Sequence, residues 1–484
     1  MSYDLVIRGA GVVRPNREGT EPADIGIEGG KIADVGLGLD ASGAEVIDGA
    51  GLLAFPGVVD AHCHWGIYNP LEEDAVTESR AAAQGGTTTA MTYFRTGQYY
   101  LGKGGPYADF FPEVLERTAD RAFVDYAYHL APIEHDHIDE IPVLIERFGV
   151  PSFKIFMFYG GHGLHGKSDD QSSFLMTPPG ERYDYAHFEF IMRGAQAARE
   201  AHPDIADYIS VSLHCESAEI MTAYTEMVEN DPELSGLAAY SASRPPHSEG
   251  LAITIAAYLA HATGLPNINL LHLSSAAAVE AARVMGAAFP ELDIRREVTV
   301  GHLLADIDQA GGLYGKVNPP IRPHSDVEAL WEAVLAGEID WVVSDHACCR
   351  EATKLGADPD DIWQAKSGFG GTEYLLAGVF SEGTRRGLTA NRIAELVAWN
   401  PSRRYGLLGK GDLAPGFDAD VVLLDPDAVW TVDAADSESS QEYSPFQGHE
   451  LTGRVQHVFL RGHQVVEDGA VVGEPTGQYV SRPG

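Results

Sequence analysis

The apolar and polar positions divide the chain into a repetitive middle and two β-textured ends. Between about residues 56 and 411, short apolar runs alternate with Ala-rich stretches of helical period. This is the pattern of parallel strands buried on both faces and joined by helices. The runs fall at 57–64, 87–94, 123–132, 152–159, 209–216, 268–275, 294–304 and 341–347. Eight βα units fit a closed α/β fold, a (β/α)8 barrel of the TIM type, better than an open sheet. No GxGxxG turn follows any run, so nothing suggests a dinucleotide site.

The first ~55 residues carry short strand patterns, DLVIRG, ADIGIEGG and KIADVG, separated by turn-forming residues. The same texture returns near residue 412 in DADVVLLDP, HVFLRG and QVVEDGAVVG. Isolated hairpins of this size are marginal, so the ends are expected to meet as one accessory β-sandwich. The expected domains are therefore 1–55 with 412–484, and a barrel over 56–411.

In such a barrel the active site lies at the C-terminal ends of the strands, so polar residues that end apolar runs are the informative ones. The first run ends His62-Cys63-His64. Strand side chains alternate faces, so both imidazoles point one way and can share an ion. His214 ends the fifth run, His272 the sixth and Asp345 the eighth. Any one of these histidines alone reads as a hydrogen-bonded core residue. Four histidines and an aspartate at equivalent strand ends read as a metal site. Lys154 sits inside the run SFKIFMFY, where a free buried ammonium is costly. A neutral amine there could instead add carbon dioxide and, as a carbamate, bridge two cations.

Charge narrows the partners. Acidic residues outnumber basic ones 71 to 33, a formal charge of −38, which argues against nucleic acid or an anionic membrane. No apolar run approaches the ~20 residues of a membrane span, and the N-terminus has no basic segment leading into an apolar one, so the expected location is the cytoplasm. Cys63, Cys215, Cys348 and Cys349 show neither zinc-knuckle nor disulfide spacing. Alternation turns Cys63 and Cys215 away from their histidine neighbours.

The motifs PGVVDAHCH, RAAAQGGTTT, SFKIFMFY, HCES, SRPPHSEG, LLHLSS, NPPIR, WVVSDH and APGFDADVVLLDP, spread from about Leu5 to Val480, make the chain resemble the dihydropyrimidinase, hydantoinase and allantoinase branch of the amidohydrolase superfamily. The resemblance implies a hydrolase that opens a small neutral cyclic amide with two divalent ions, zinc by default, with manganese, cobalt or iron able to occupy the same site. It implies that His62, His64 and Asp345 hold one ion, that His214 and His272 hold the other, and that carboxylated Lys154 bridges them. Tyr159 matches the tyrosine that binds the substrate carbonyl. Asn318 matches a position that contacts the ring amide through its main chain, and Asp345 matches the general base. A homo-oligomer, dimer or tetramer, is also implied, built partly through 443–484. Allantoin or a less usual amide are alternative substrates. A mononuclear deaminase is disfavoured by Lys154 and Tyr159, and a non-catalytic relative by the full set of ligand positions.

Two departures bear on substrate. The stretch after Tyr159, GGHGLHGKSDDQSSFLMTPPGERYDYAHF, is long and is expected to cap the pocket, with His162 and His165 either touching substrate or lying in a surface loop. WGIYNP after His64 lacks the arginine that dihydroorotases place there, which disfavours a free carboxylate on the ring.

Overall fold

A computed structural model describes residues 3–164, 177–178, 180–356 and 358–483. A strand falls at each apolar run: Val58–Cys63 (β1), Thr87–Phe94 (β2), Asp125–Leu130 (β3), Ser152–Phe156 (β4), Ser210–His214 (β5), Asn267–Leu270 (β6), Asp293–Thr299 (β7) and Trp341–Val343 (β8), with β6 and β7 each starting one residue before its run. They pair in chain order, every ladder parallel. The ring closes between β8 and β1. There the His64 N–H donates to the His346 carbonyl (2.7 Å), and Ser344 donates its N–H (3.0 Å) and its hydroxyl to the Asp60 carboxylate. Every residue of β1, β2 and β3 is buried, because one face fills the barrel and the other meets helices, and this is why the runs are apolar without interruption.

The ladders stop earlier than the apolar runs. β6 ends at Leu270 and β8 at Val343, and two residues beyond each, His272 (φ 35°) and Asp345 (φ 53°) adopt left-handed backbone. Such φ values are costly for residues other than glycine and cluster where function demands them. Here the turn takes both residues out of the sheet and over the barrel mouth. In the run 294–304 the strand stops at Thr299, whose hydroxyl caps a short helix, Val300–Leu304, by accepting the His302 N–H (3.1 Å).

The outer helices carry ordinary end signals. Asp184 caps Tyr185–Ala201 by accepting from the Ala186 and His187 amides. Pro246–Thr263 opens on proline and stops at Gly264 in left-handed conformation.

The two ends of the chain join one nine-stranded mixed sheet. Its strand Leu5–Val12 pairs through its first half with Glu45–Asp48 and through its second half with Leu53–Ala54. Ile7, Ile25, Ile27, Val421, Leu423 and Phe459, drawn from both ends, share one apolar core. The last residues then leave this sheet for the base of the barrel. Val480 donates its N–H to the Tyr126 carbonyl (2.8 Å), and the buried Arg482 guanidinium bonds Ser152 Oγ (2.9 Å) and the Tyr128 carbonyl.

Candidate metal centre

At the open end of the barrel the proposed ligand side chains converge. Asp345 Oδ1 lies 3.1 Å from His62 Nε2 and 3.2 Å from His64 Nε2, and Lys154 Nζ lies 3.0 Å from His62 Nε2. The His214 and His272 rings pack edge-on at 4.3 Å between centroids, and the His272 ring is 5.4 Å from that of His62. The Lys154 amine sits 4.1 Å from the Tyr93 ring centre and 4.3 Å from that of Phe156. A cleft of about 470 Å³ opens above, lined among others by His64, Lys154, His214, His272 and Asp345, with Tyr159 and Asn318 on its wall. His62 is fully buried just beneath it.

Partners behind the ligands fix which ring nitrogen is presented. His62 donates Nδ1–H to Glu297 Oε1 (2.7 Å), and His64 Nδ1 is 2.9 Å from the Tyr100 hydroxyl, so each turns Nε2 toward Asp345. His214 Nε2 is 2.6 Å from Glu216 Oε2, which Arg244 grips from the other side (2.5 Å). Glu297 also accepts from Trp341 Nε1 (2.9 Å) and from the His272 N–H (3.2 Å).

Protonation follows from burial. Desolvation pushes all four imidazoles below the usual histidine range, His64 to about 4, which leaves them neutral. Burial likewise lowers Lys154 toward its neutral amine. Burial would raise Asp345, but its positive-leaning surroundings, His62, His64 and Lys154, outweigh it and hold the carboxyl below the usual carboxylate range. Neutral imidazoles, an ionised carboxylate and a dischargeable amine form a donor set suited to divalent N/O-binding cations. In addition, His272 Nδ1 is buried with no hydrogen-bond partner among the described residues. The residues present therefore fit the ions that the sequence implies.

The remaining wall is aromatic and tightly bonded. Tyr159 follows β4 through a turn, its N–H donating to Phe156 O (3.1 Å), and its ring stacks on Phe156 at 4.2 Å. The Asn318 side chain accepts from the Tyr240 hydroxyl (2.5 Å) and donates to the Leu164 carbonyl (2.6 Å). It thus ties the segment after Tyr159 to the opposite wall. His162 is buried rather than in a surface loop: its Nδ1 is 3.1 Å from Thr222 Oγ1, and it does not line the cleft. His165 lies outside the described residues.

Sequence reading missed Glu297, Glu216 and Tyr100. Glu216 was within reach, because HCES places it two residues after His214. The other two are recruited from distant segments. All four cysteines are buried and unbridged, and Cys63 donates to the Met91 carbonyl (3.3 Å), away from the cleft. Asp74, Glu78 and Cys348 also lie close enough to share an ion. Their carboxylates are already engaged, however: Asp74 with Gly66 (2.7 Å) and Asn69 (2.9 Å), Glu78 with His346 (2.8 Å), Ser439 and Ser440. This cluster is a closed hydrogen-bond network that braces the turn behind Asp345.

The chain is similar to known proteins over nearly its whole length. Residues 254–465 match the amidohydrolase family model. An allantoinase from Rubrobacter xylanophilus is 33% identical over 489 residues, covering 99% of this chain and 98% of that one. A D-hydantoinase from Geobacillus stearothermophilus is 30% identical, covering 95% and 93%. The solved L-hydantoinase (dihydropyrimidinase) from Arthrobacter aurescens superposes with a TM-score of 0.84 at 27% identity, covering 99% and 100%. The chain belongs to the amidohydrolase family, in its branch of cyclic amidohydrolases with the allantoinases, hydantoinases and dihydropyrimidinases.

Proposed function

We propose that this protein hydrolyses a ring C–N bond of a neutral cyclic amide, a dihydropyrimidine, hydantoin or related ureide or imide. The observation that carries the reading is the approach of His62 Nε2 and His64 Nε2 to Asp345 within 3.2 Å, with Lys154 3.0 Å from His62 and the His214–His272 pair beside them, at the mouth of the barrel. His62, His64 and Asp345 would hold one divalent ion and His214 and His272 the second, with Lys154, carboxylated, between them; zinc is the proposed metal. Ions bound there supply acidity to a water, making hydroxide available near neutral pH, and polarise a carbonyl.

The chain's own residues do the rest. Phe156 and Tyr159, stacked, form a flat wall against which a planar amide ring can lie. The Tyr159 hydroxyl donates to the carbonyl oxygen as negative charge develops on it. Asp345, held ionised, takes the proton of the attacking water and returns it to the ring nitrogen as the C–N bond breaks. The main chain of Asn318 meets the ring amide. Ile67, Tyr68, Tyr100 and Leu164 give the cleft an apolar rim suited to an uncharged substrate.

The similarity to an allantoinase favours allantoin as a second reading of the same site. Both are tested by incubating zinc-supplemented protein with dihydrouracil, hydantoin, 5-substituted hydantoins, allantoin, succinimide and dihydroorotate, following ring opening by ultraviolet absorbance and mass spectrometry. Fastest turnover of dihydrouracil or a hydantoin supports the first reading, and fastest turnover of allantoin the second. Preferred opening of dihydroorotate would contradict the neutral-substrate reading. We also propose a cytoplasmic homo-oligomer, dimer or tetramer, to be checked by light scattering. No helix among the described residues is long and apolar enough to cross a membrane.

A further inference from the structure

Arg95 follows the last residue of β2 and is 2% exposed, yet among the described residues it has no carboxylate partner, in a chain with 71 acidic side chains. Buried cations are ordinarily paired, so what surrounds this one is informative. Its Nη1 donates to the carbonyls of Thr96 and Gln98, both at 3.1 Å, which anchors the guanidinium to its own loop. Its Nε and Nη2 are buried without a hydrogen-bond partner among the described residues. Three phenol rings enclose the group: its central carbon is 5.4 Å from the ring centre of Tyr159, 5.6 Å from that of Tyr100 and 5.8 Å from that of Tyr99. Tyr99 (φ 71°) and Tyr100 (φ 53°) are consecutive residues in left-handed backbone. Two such residues in a row cost of order 1 kcal/mol or more each, so the surroundings must enforce them.

We infer that Arg95 is a positioning residue for the Tyr159 hydroxyl, holding it toward the reacting carbonyl and placing an uncompensated positive charge behind it. The inference rests on the reading of Tyr159 as the carbonyl-oxygen donor given above. The guanidinium lies 5.4 Å from the Tyr159 ring centre, and a positive charge beside a phenol polarises its O–H, which makes it a stronger donor to a developing oxyanion. Burial pushes the Tyr159 phenol above its ordinary pKa, and the charge of Arg95 opposes that rise. Among the described residues no carboxylate is bonded to the guanidinium, so its field reaches the phenol. Arg95 does not line the cleft, so it acts through Tyr159 and not on substrate.

The test is a double-mutant cycle on ring opening of whichever panel substrate is turned over, using zinc-loaded protein with Arg95→Gln, Arg95→Lys, Tyr159→Phe and the two combinations with Tyr159→Phe. Tyr159→Phe is expected to lower kcat by about 100-fold or more, the scale for one oxyanion donor. Arg95→Gln is expected to lower kcat roughly 10-fold to 100-fold with KM within about 3-fold, and Arg95→Lys to recover most of that loss. In the Tyr159→Phe background, Arg95→Gln should cost no more than about 3-fold further, because the group it acts through is gone. Equal losses from Arg95→Gln in both backgrounds, or no loss in the parent, would overturn the inference and leave the role of Tyr159 standing. Full activity in Tyr159→Phe would overturn both. Should Arg95→Gln fail to fold or to bind two zinc ions, the Arg95→Lys cycle decides: loss in the parent with no rescue, equally large without the phenol, refutes positioning.

Discussion

Glu297 offers a sharp test of how the metal ligands are oriented, because it touches two of them without being one. It is fully buried, and its two oxygens accept three hydrogen bonds: from His62 Nδ1 (2.7 Å), from Trp341 Nε1 (2.9 Å) and from the His272 N–H (3.2 Å). Glu297→Gln preserves shape but replaces one acceptor by an NH2 donor. If the amide nitrogen takes the side facing Trp341, two donors oppose each other. If it takes the side facing His62, that ring must accept at Nδ1, which moves its proton to Nε2, where the ion would sit. Either arrangement leaves a buried donor unmatched, at a cost of about 1–3 kcal/mol. Second partners of ligating histidines are typically worth about 10-fold to 100-fold in metal affinity, or about 1.4–2.7 kcal/mol. The expected outcome is a folded variant that loses zinc to a competing chelator at 10-fold to 100-fold lower chelator concentration than the parent. Zinc content by mass spectrometry and circular dichroism report the two quantities separately. Two zinc ions retained with the parent's affinity would refute the reasoning.

Three further outcomes follow from other contacts. Arg244→Met strands the buried carboxylate of Glu216, which Arg244 grips at 2.5 Å, and should destabilise the protein by about 3–5 kcal/mol in urea unfolding. Burial and the adjacent Glu78 push Asp74 well above the carboxylate range, so the native state holds a proton that the unfolded chain has released. Stability therefore falls as pH rises from the ordinary carboxylate value toward the raised one. Asp74→Asn should abolish that fall between pH 5 and 7, as read by unfolding at both. Asn318→Ala removes the bond to Leu164 (2.6 Å) but leaves the main chain, so KM should rise roughly 3-fold to 10-fold with kcat nearly unchanged.

The fold and the candidate site residues were legible because both are written in local pattern. Parallel strands buried on both faces leave unbroken apolar runs, and a barrel that works at its strand ends puts its histidines at the ends of those runs. The pattern singles out His62, His64, Lys154, His214, His272 and Asp345, and the structure sets five of them around one cleft with His62 buried beneath it. It ran past the true strand ends in 268–275 and 341–347, because an apolar run does not announce where the chain turns left-handed at His272 and Asp345. It missed Glu297 and Tyr100 for a different reason. Each acts on a residue distant in sequence, His62 across 235 positions in the case of Glu297, and no spacing rule encodes such a contact. Asn318 was placed at the site, but its side-chain tether to Leu164 depends on the path of a loop that composition does not determine.

The proposed hydrolytic centre needs Lys154, carboxylated, to join two ions. Zinc stoichiometry and ring-opening turnover of Lys154→Ala, measured beside the parent on the same substrate panel, test this most closely. The parent is expected to hold two zinc ions per chain and to turn over, and the variant to hold at most one ion with no turnover above background. A variant that still binds two ions and opens the ring at the parental rate would contradict it.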